Sequence, residues 1–559
     1  MTSPRARRFA PAVLLGAMLA GVVACGGSDS PVPAIPTPAT APALPAQRLS
    51  GDSPLDPACN GSDGPSVSGS FFVNSEVEPF VATHPNNPSH LIATWQQDRW
   101  TNGGARALRT ATSFDGGQQW TLVTHPLSNC AGGNAANGAD YDRVSDPWVD
   151  IGPDGVAHAM GLAFSGQAGA GASNAMLARR SVDGGLTWGP VSTLVVDGPA
   201  FFNDKNSLSA DPTDARYVFA VWDRLDNTSG AGPTWMARSV DAGLSWQPAR
   251  AIYAPANSGQ TIGNRIVVLR DAARLGRLVN FFTQIEVVSG VAQASLNVIH
   301  SSDKGDTWSA PVRISDMQPV GARDPISGTS IRDGAIIGSI AVTPSGALWV
   351  TWQDGRFSSG QHDAIAVSGS ADGGQSWSAP VAINRVAGSA AFTAVAAVRA
   401  DGMVGVMHYD LRPNSDPAQG VLAGAWLLTS RDGVAWSETP VWSPFDLGRA
   451  PRVDAGLFLG DYQGLVAGAS NFLAVLALSG GSAANPSDIF ALPLNPGLAG
   501  ARHASRAPAP YLARQLPSAA SSAGPAQRAR VHRTIVQAME RRVPGWAARR
   551  GLAVEPMRE

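Results

Sequence analysis

Along much of the chain, side chains fall into two sets at a period of two. In "HLIATWQQD" (90–98), Leu91, Ala93 and Trp95 oppose Ile92, Thr94 and Gln96, and "RYVFAVWDR" (216–224) and "ALWVTWQDGR" (347–356) read the same way. That period belongs to β-strands, and apolar residues in both sets mean strands covered on both faces. Such stretches come in order. "EPFVATHP", "DPWVDIGP", "DKNSLSADP", "NRIVVLR", "IIGSIAVTP" and "FTAVAAVRA" each precede a second strand, then a third, then a turn.

The turn repeats. "SFDGGQQW", "SVDGGLTW", "SVDAGLSW", "SSDKGDTW", "SADGGQSW" and the shortened "SRDGVAW" share S-x-D-x-G-x-x-W, with Asp115, Asp183, Asp241, Asp303, Asp372 and Asp432 spaced 58 to 69 residues apart. An Asp carboxylate accepts backbone N–H groups inside such a turn, and the Gly takes a positive φ. The spacing suits a four-stranded antiparallel unit. A seventh set, "LGDYQGLVAG", "SNFLAVLALS" and "SDIFALPL", has no such turn. Its outer strand is expected from "VSGSFFVN" (Val67–Asn74), one terminus closing the ring begun by the other and covering a sheet edge. The pattern predicts an all-β fold, a β-propeller of seven four-stranded antiparallel blades over 66–495; the alternative is six blades with extra strands packed outside.

Composition changes the picture mainly at the ends. "MTSPRARRFAPAVLLGAMLAGVVAC" has a basic start, an apolar run too short to be a permanent bilayer span, and small residues before Cys25. It resembles a bacterial lipoprotein signal with "VVAC" as lipobox. The resemblance implies cleavage after residue 24, diacylglycerol on Cys25 and a place in the cell envelope; a plain secretory signal is the alternative. "PVPAIPTPATAPALPAQ" then reads as an extended tether within 25–65. Cys59 and Cys130 are the remaining cysteines, open to one disulfide or to two separate buried thiols. From 496 the sequence reads as linker followed by a basic helix broken at Pro544, either a membrane-surface helix or an Arg-rich tail. A net charge of −2 gives no sign of a nucleic-acid partner, and nothing calls for more than a monomer.

Six such turns in an exported all-β chain resemble the bacterial neuraminidase repeat (Asp-box) superfamily, whose best-known members are sialidases. "DKNSLSADPTDARYVFAVW" and "LGDYQGLVAG" look like secreted bacterial proteins labelled exo-α-sialidase. The resemblance implies a glycoside hydrolase of sialic-acid-like or other anionic glycans, with arginines for the substrate carboxylate, an Asp acid/base and a Tyr nucleophile beside a Glu. The family's early F/Y-R-I-P motif has no counterpart; "GNRIVVL" around Arg265 comes nearest and lacks the Pro. The alternative function is a non-catalytic propeller binding a glycan or an envelope protein.

Antiparallel topology places the six turns on one face of the ring and the inner-strand starts and second-strand exits on the other. Candidate catalytic residues on that second face are Tyr462, Asp461, Glu78, Glu286 and Tyr409. Candidate substrate-binding residues are Arg265, Lys205, Arg99, Arg224, Arg356 and Arg412. A "D-R" pair recurs at four second-strand exits and suits ion-pair anchors as well as chemistry. Histidines show no metal-ligand spacing, no phosphate-cradling loop precedes a helix, and no loop has the dense oxygens of a Ca²⁺ site, so no cofactor is expected.

Overall fold

The computed structural model describes residues 45–61, 69–166, 173–386, 388–495 and 523–553. The signal segment, Cys25 and most of the tether lie outside them.

Seven four-stranded antiparallel units follow one another. Their inner strands are Glu76–His84, Arg143–Ile151, Phe201–Ala210, Gln260–Val268, Ser339–Val342, Ala391–Val398 and Gly464–Ala467, which define blades 1 to 7. Each hairpins into a second strand and a third. The third strand of blade 1 also meets the inner strand of blade 2 at Ala105 and Val144. The fold is a seven-bladed β-propeller.

The closing strand is corrected. Gln47–Arg48, and not Val67–Asn74, forms the outer strand of blade 7, pairing with Ala491 and Phe490. Leu49 N–H donates to Ile489 O, Ser50 Oγ to Asp488 at 3.1 Å, and Arg48 pairs with the same carboxylate at 2.5 Å. Of the expected stretch, the described part gives only a bridge between Phe71 and Trp100. The body therefore begins inside the segment read as tether, and Leu49 and Leu55 are buried in it. Cys59 and Cys130 are joined by a disulfide that ties this segment to the loop after blade 1's outer strand.

The six repeated turns share a Ser Oγ to Asp hydrogen bond. In blade 2, Ser181 Oγ donates to Asp183 at 2.7 Å and accepts from Gly185 N, Asp183 accepts from Thr187 N, and Trp188 Nε1 returns to Gly185 O. The Thr187 hydroxyl, then these donors, hold the exposed Asp183 carboxyl down at about 2. Each turn also leans on the blade before it: His90 reaches Gly184 O at 2.8 Å, Arg180 reaches Ala242 O, Arg238 reaches Lys304 O and His300 reaches Gly373 O. They act as staples between neighbouring blades.

The C-terminal helix runs Pro525–Arg542 and stops two residues before Pro544. It is no loose tail. Ile535, Val536, Met539, Val543 and Trp546 are buried in the apolar cluster shared with blades 2 to 5. Among the described residues no helix is long and apolar enough to cross a membrane.

Candidate functional site

Five inner strands break register at the same place, between Val77 and Phe80, Ser145 and Trp148, Asp204 and Ser207, Ile262 and Arg265, and Phe392 and Val395. One residue in each bulge is left-handed: Glu78 (φ 53°), Asp146 (52°), Lys205 (49°), Gly263 (66°) and Thr393 (51°). Blade 4 uses glycine, which takes this conformation freely. Blades 1 to 3 instead place charged residues there, at a cost of about 1–3 kcal/mol each. A bulge re-aims its side chain, and these three converge.

Lys205 Nζ lies 3.3 Å from Glu78 Oε1, 3.5 Å from Asp146 Oδ1 and 2.8 Å from Asp461 Oδ2. Arg332 holds Asp461 with two bonds, at 2.7 and 3.1 Å. Asp461 N–H donates to Glu78 at 3.3 Å, and Lys205 N–H to Asp146 at 3.0 Å. Gln96 donates to Glu78 and accepts from Arg99 at 2.6 Å. Arg99 and Arg332 both lie over the Phe458 ring, at 4.8 and 4.5 Å. The carboxylate of Glu78 is 1% exposed, whereas Lys205 and Arg332 are 10% and 24% exposed. Arg332 is thus the cluster's most exposed charge, while Arg99 is buried with the carboxylates.

The charges bias one another. Burial pushes Glu78 and Asp146 upward, with Lys205 opposing in each case. Burial acts on Asp461 too, but Arg332 and Lys205 outweigh it and hold that carboxyl well below its usual range. Carboxyls driven in opposite directions are the ingredients of acid–base chemistry. Tyr462 has Lys205 5.3 Å from its ring and Trp148 edge-on at 5.7 Å. Its hydroxyl is buried without a hydrogen-bond partner. Burial, then Glu78, Asp146 and Asp461, push this phenol well up.

Below lies an aromatic floor. Phe80 stacks on Trp148 at 3.7 Å, and Arg265 reaches over both rings at 5.4 and 5.6 Å.

Of the residues singled out in the sequence, Glu78, Asp461, Tyr462, Lys205 and Arg99 meet in this cluster, with Arg265 on the floor beneath. The others do not join it. Tyr409 is buried among apolar side chains of blades 6 and 7 and donates to Ala477 O at 2.7 Å, so its role is packing. Glu286 sits at the outer end of blade 4's second strand, 3.4 Å from Gln284. Arg224 is held by Asp197 between the Phe201 and Trp235 rings, Arg356 by Asp354, and Arg412 by Asp410 and Glu438. Each of these arginines already has a carboxylate partner away from the cluster.

Sequence reasoning missed Arg332 altogether and Asp146 as a member of the cluster. Arg332 lies in a short strand, Ile331–Arg332, that pairs in parallel with Gly456–Phe458 and thereby meets Asp461. Its one signal was a charged "RD" just before blade 5's inner strand. Among the described residues no group of three or more His, Cys, Asp or Glu is placed to hold a metal.

No protein-family model matches the chain, and no curated protein matches it. Among solved structures it is similar to the α-L-arabinofuranosidase Arb93A from Fusarium graminearum, at 12% identity and a TM-score of 0.40 over 80% of this chain and 98% of that one. It is similar to the Hadza microbial sialidase Hz136, at 14% and 0.39 over 73% and 76%. The intramolecular trans-sialidase from Ruminococcus gnavus follows at 13% and 0.38 over 81% and 97%. At such identities and scores none of their residues transfers to this chain.

Proposed function

We propose that this protein is an exported, lipid-anchored propeller that hydrolyses glycosides of sialic-acid-like or other anionic sugars at the axial cluster. The observation that carries the reading is the convergence of Glu78, Asp146 and Lys205, all on left-handed inner-strand backbone, with Asp461 beside a tyrosine hydroxyl that has no partner. Strain of this kind persists where surrounding structure and function hold it. In the proposed reaction Tyr462 attacks the anomeric carbon while Glu78 receives its proton. Asp146, whose carboxyl burial pushes upward against Lys205, gives a proton to the leaving oxygen. Asp146 then takes a proton from water, whose oxygen displaces the Tyr462 phenolate, and Glu78 returns its proton to that phenolate, completing a retaining, two-step hydrolysis. Asp461 remains ionised and fixes Lys205 and Arg332, which meet the sugar's anionic group from the solvent side. The signal-like N-terminus and Cys25 support export and anchoring.

A second reading has its own support. Lys205 and Arg332 are already neutralised by the cluster's carboxylates, so the face is stable without a ligand, as in a propeller that only binds a glycan or an envelope protein.

The test is incubation of the folded protein with fluorogenic sialosides, uronides and neutral glycosides. Release from an acidic glycoside well above buffer, and its loss in Glu78→Gln, is the expected result. No release across the panel, with a glycan recovered intact, leaves the binding reading.

A further inference from the structure

The repeated turns share a frame, but their free positions differ from blade to blade. The second residue of the motif is Phe114, Val182 and Val240 in blades 1 to 3, against Ser302, Ala371 and Arg431 in blades 4 to 6. The sixth is Leu186 and Leu244 in blades 2 and 3, against Asp306 and Gln375 in blades 4 and 5. The turn's own hydrogen bonds make no use of these apolar side chains, and the fold does not bury them: Phe114 is 47% exposed, Val182 72% and Leu244 69%, with Leu186 and Val240 also exposed. They stand in a row. Phe114 stacks on His90, which bonds Gly184 O in the blade 2 turn, and a Cβ at Gly184 would lie 3.0 Å from the Phe114 ring. Arg180 ties blade 2 in turn to Ala242 O in the blade 3 turn. Three adjacent blades thus carry one apolar strip on the turn face, and such a strip marks an interaction surface.

The chain enters the propeller from that same face. Gln47 and Arg48 pair antiparallel with Ala491 and Phe490 of Asn485–Leu494, the third strand of blade 7, which like every third strand runs toward the turn face. The residues before Gln47 therefore approach from the turn side. Gln47 Nε2 donates to Gln118 O inside the blade 1 turn at 2.9 Å, and Ala46 packs in the same apolar cluster as Trp120 of that turn. Cys25 lies upstream of this entry point. Residues 26–44 can span at most about 65 Å, so an acyl chain on Cys25 would keep the body near a bilayer without choosing which face it presents. At that range a shallow apolar contact is enough to choose, because a tether makes the second contact intramolecular.

We infer that the turn face of blades 1 to 3 rests on a phospholipid surface, with Phe114, Val182, Leu186, Val240 and Leu244 entering the headgroup layer, so that the ionic face points away from the membrane. The inference rests on the lipid-anchored part of the proposed reading and adds the orientation of the anchored body. The carboxylates of Asp115, Asp183 and Asp241 stand in the same turns, so the surface that fits is zwitterionic and not anionic lipid.

The experiment uses the full chain as its producing cells export it, placed on phosphatidylcholine vesicles that contain nitroxide-labelled lipid. An environment-sensitive dye is attached at Leu244→Cys or, on the opposite face, at Ala529→Cys, an exposed position of the C-terminal helix, which packs on the ionic face through Gln527 to Gln318 and Arg530 to Gly360 O. Cys59 and Cys130 are joined to each other and take no dye, and wild type treated alike is the blank. The Leu244 dye is expected to shift to shorter wavelength and to be quenched, while the Ala529 dye keeps its aqueous spectrum. Adding Val182→Asp and Leu186→Asp is expected to return the Leu244 dye toward that spectrum with the melting temperature unchanged, both side chains being exposed. A Leu244 dye that reports water on vesicles, or an Ala529 dye that is quenched, overturns the inference. So does a Leu244 dye shielded without vesicles at twice the chain's mass in ultracentrifugation, which gives the face to a second copy. Mass spectrometry of the mature N-terminus separates the two claims: a quenched Leu244 dye without lipid on Cys25 refutes the anchor alone, and an aqueous Leu244 dye with lipid on Cys25 refutes this inference alone.

Discussion

Replacing Lys205 by Met keeps most of the side-chain stem and removes the one ammonium in the axial cluster. Asp461 retains Arg332, but Glu78 and Asp146 lose the cation that lies 3.3 and 3.5 Å from them. Breaking a buried ion pair typically costs about 3–5 kcal/mol. The remaining Arg332 and the slight exposure of Lys205 put this case near the lower end, about 3 kcal/mol. At roughly 2.1 cal/mol/K per residue, a 559-residue chain melts with an entropy of about 1 kcal/mol/K, so the expected loss is about 3 °C at pH 8. The pH dependence has a definite sign. Burial already raises Glu78 and Asp146 in the folded protein, and Lys205 opposes it. Without Lys205 both rise further above the unfolded value of about 4. A carboxyl raised on folding destabilises the native state increasingly as pH climbs from the unfolded value through the folded one. The deficit of Lys205→Met relative to wild type should therefore be larger at pH 8 than at pH 5. Scanning fluorimetry of both proteins across that range is the assay. A deficit that is constant with pH, or greatest at pH 5, refutes the electrostatic account of the cluster.

Other outcomes follow from the same geometry. Tyr462→Phe should leave the melting temperature unchanged or slightly higher, because the deleted hydroxyl is buried without a partner, while abolishing glycoside release. Cys59→Ser should lower stability in non-reducing thermal melts by up to about 4 kcal/mol, from loop closure over a separation of 71 residues. Trp546→Ala should cost about 3–5 kcal/mol and expose the C-terminal helix to hydrogen exchange, since the indole is buried against the propeller. Arg412→Gln should leave glycoside turnover intact, its carboxylate partners being structural.

The blades were legible because their signals are local. Alternation reports a strand without knowledge of its neighbour, and a turn motif of eight residues carries its own hydrogen bonds, so six copies and a seventh unmarked set were countable. The closing strand was not legible. Gln47–Arg48 is two residues long, has no alternation to read, and owes its position to Ala491 and Phe490 at the far end of the fold. The "D-R" repeats misled in an instructive way. Asp354–Arg356 and Asp410–Arg412 are two apart and pair with themselves. Asp98–Arg99 and Asp223–Arg224 are adjacent in strands and so point to opposite faces. Asp98 accordingly pairs with Arg106, Asp223 with Arg542 and Arg224 with Asp197, while Arg99 is freed to join the axis. Glu78, Lys205, Asp461 and Tyr462 were legible as candidates because they lie where inner strands begin, on the face opposite the repeated turns. Arg332 escaped because an inter-blade strand delivers it, and no local pattern encodes that delivery.

The most direct measurement of the central claim, that the axial cluster is a glycosidase centre, is kcat/KM for wild type, Glu78→Gln and Tyr462→Phe on whichever acidic glycoside the wild type cleaves, with folding checked by circular dichroism. A general base and a nucleophile each contribute orders of magnitude, so losses of about a hundredfold or more are expected in both variants. Folded variants that retain wild-type kcat/KM, or a wild type that releases nothing above buffer, contradict it.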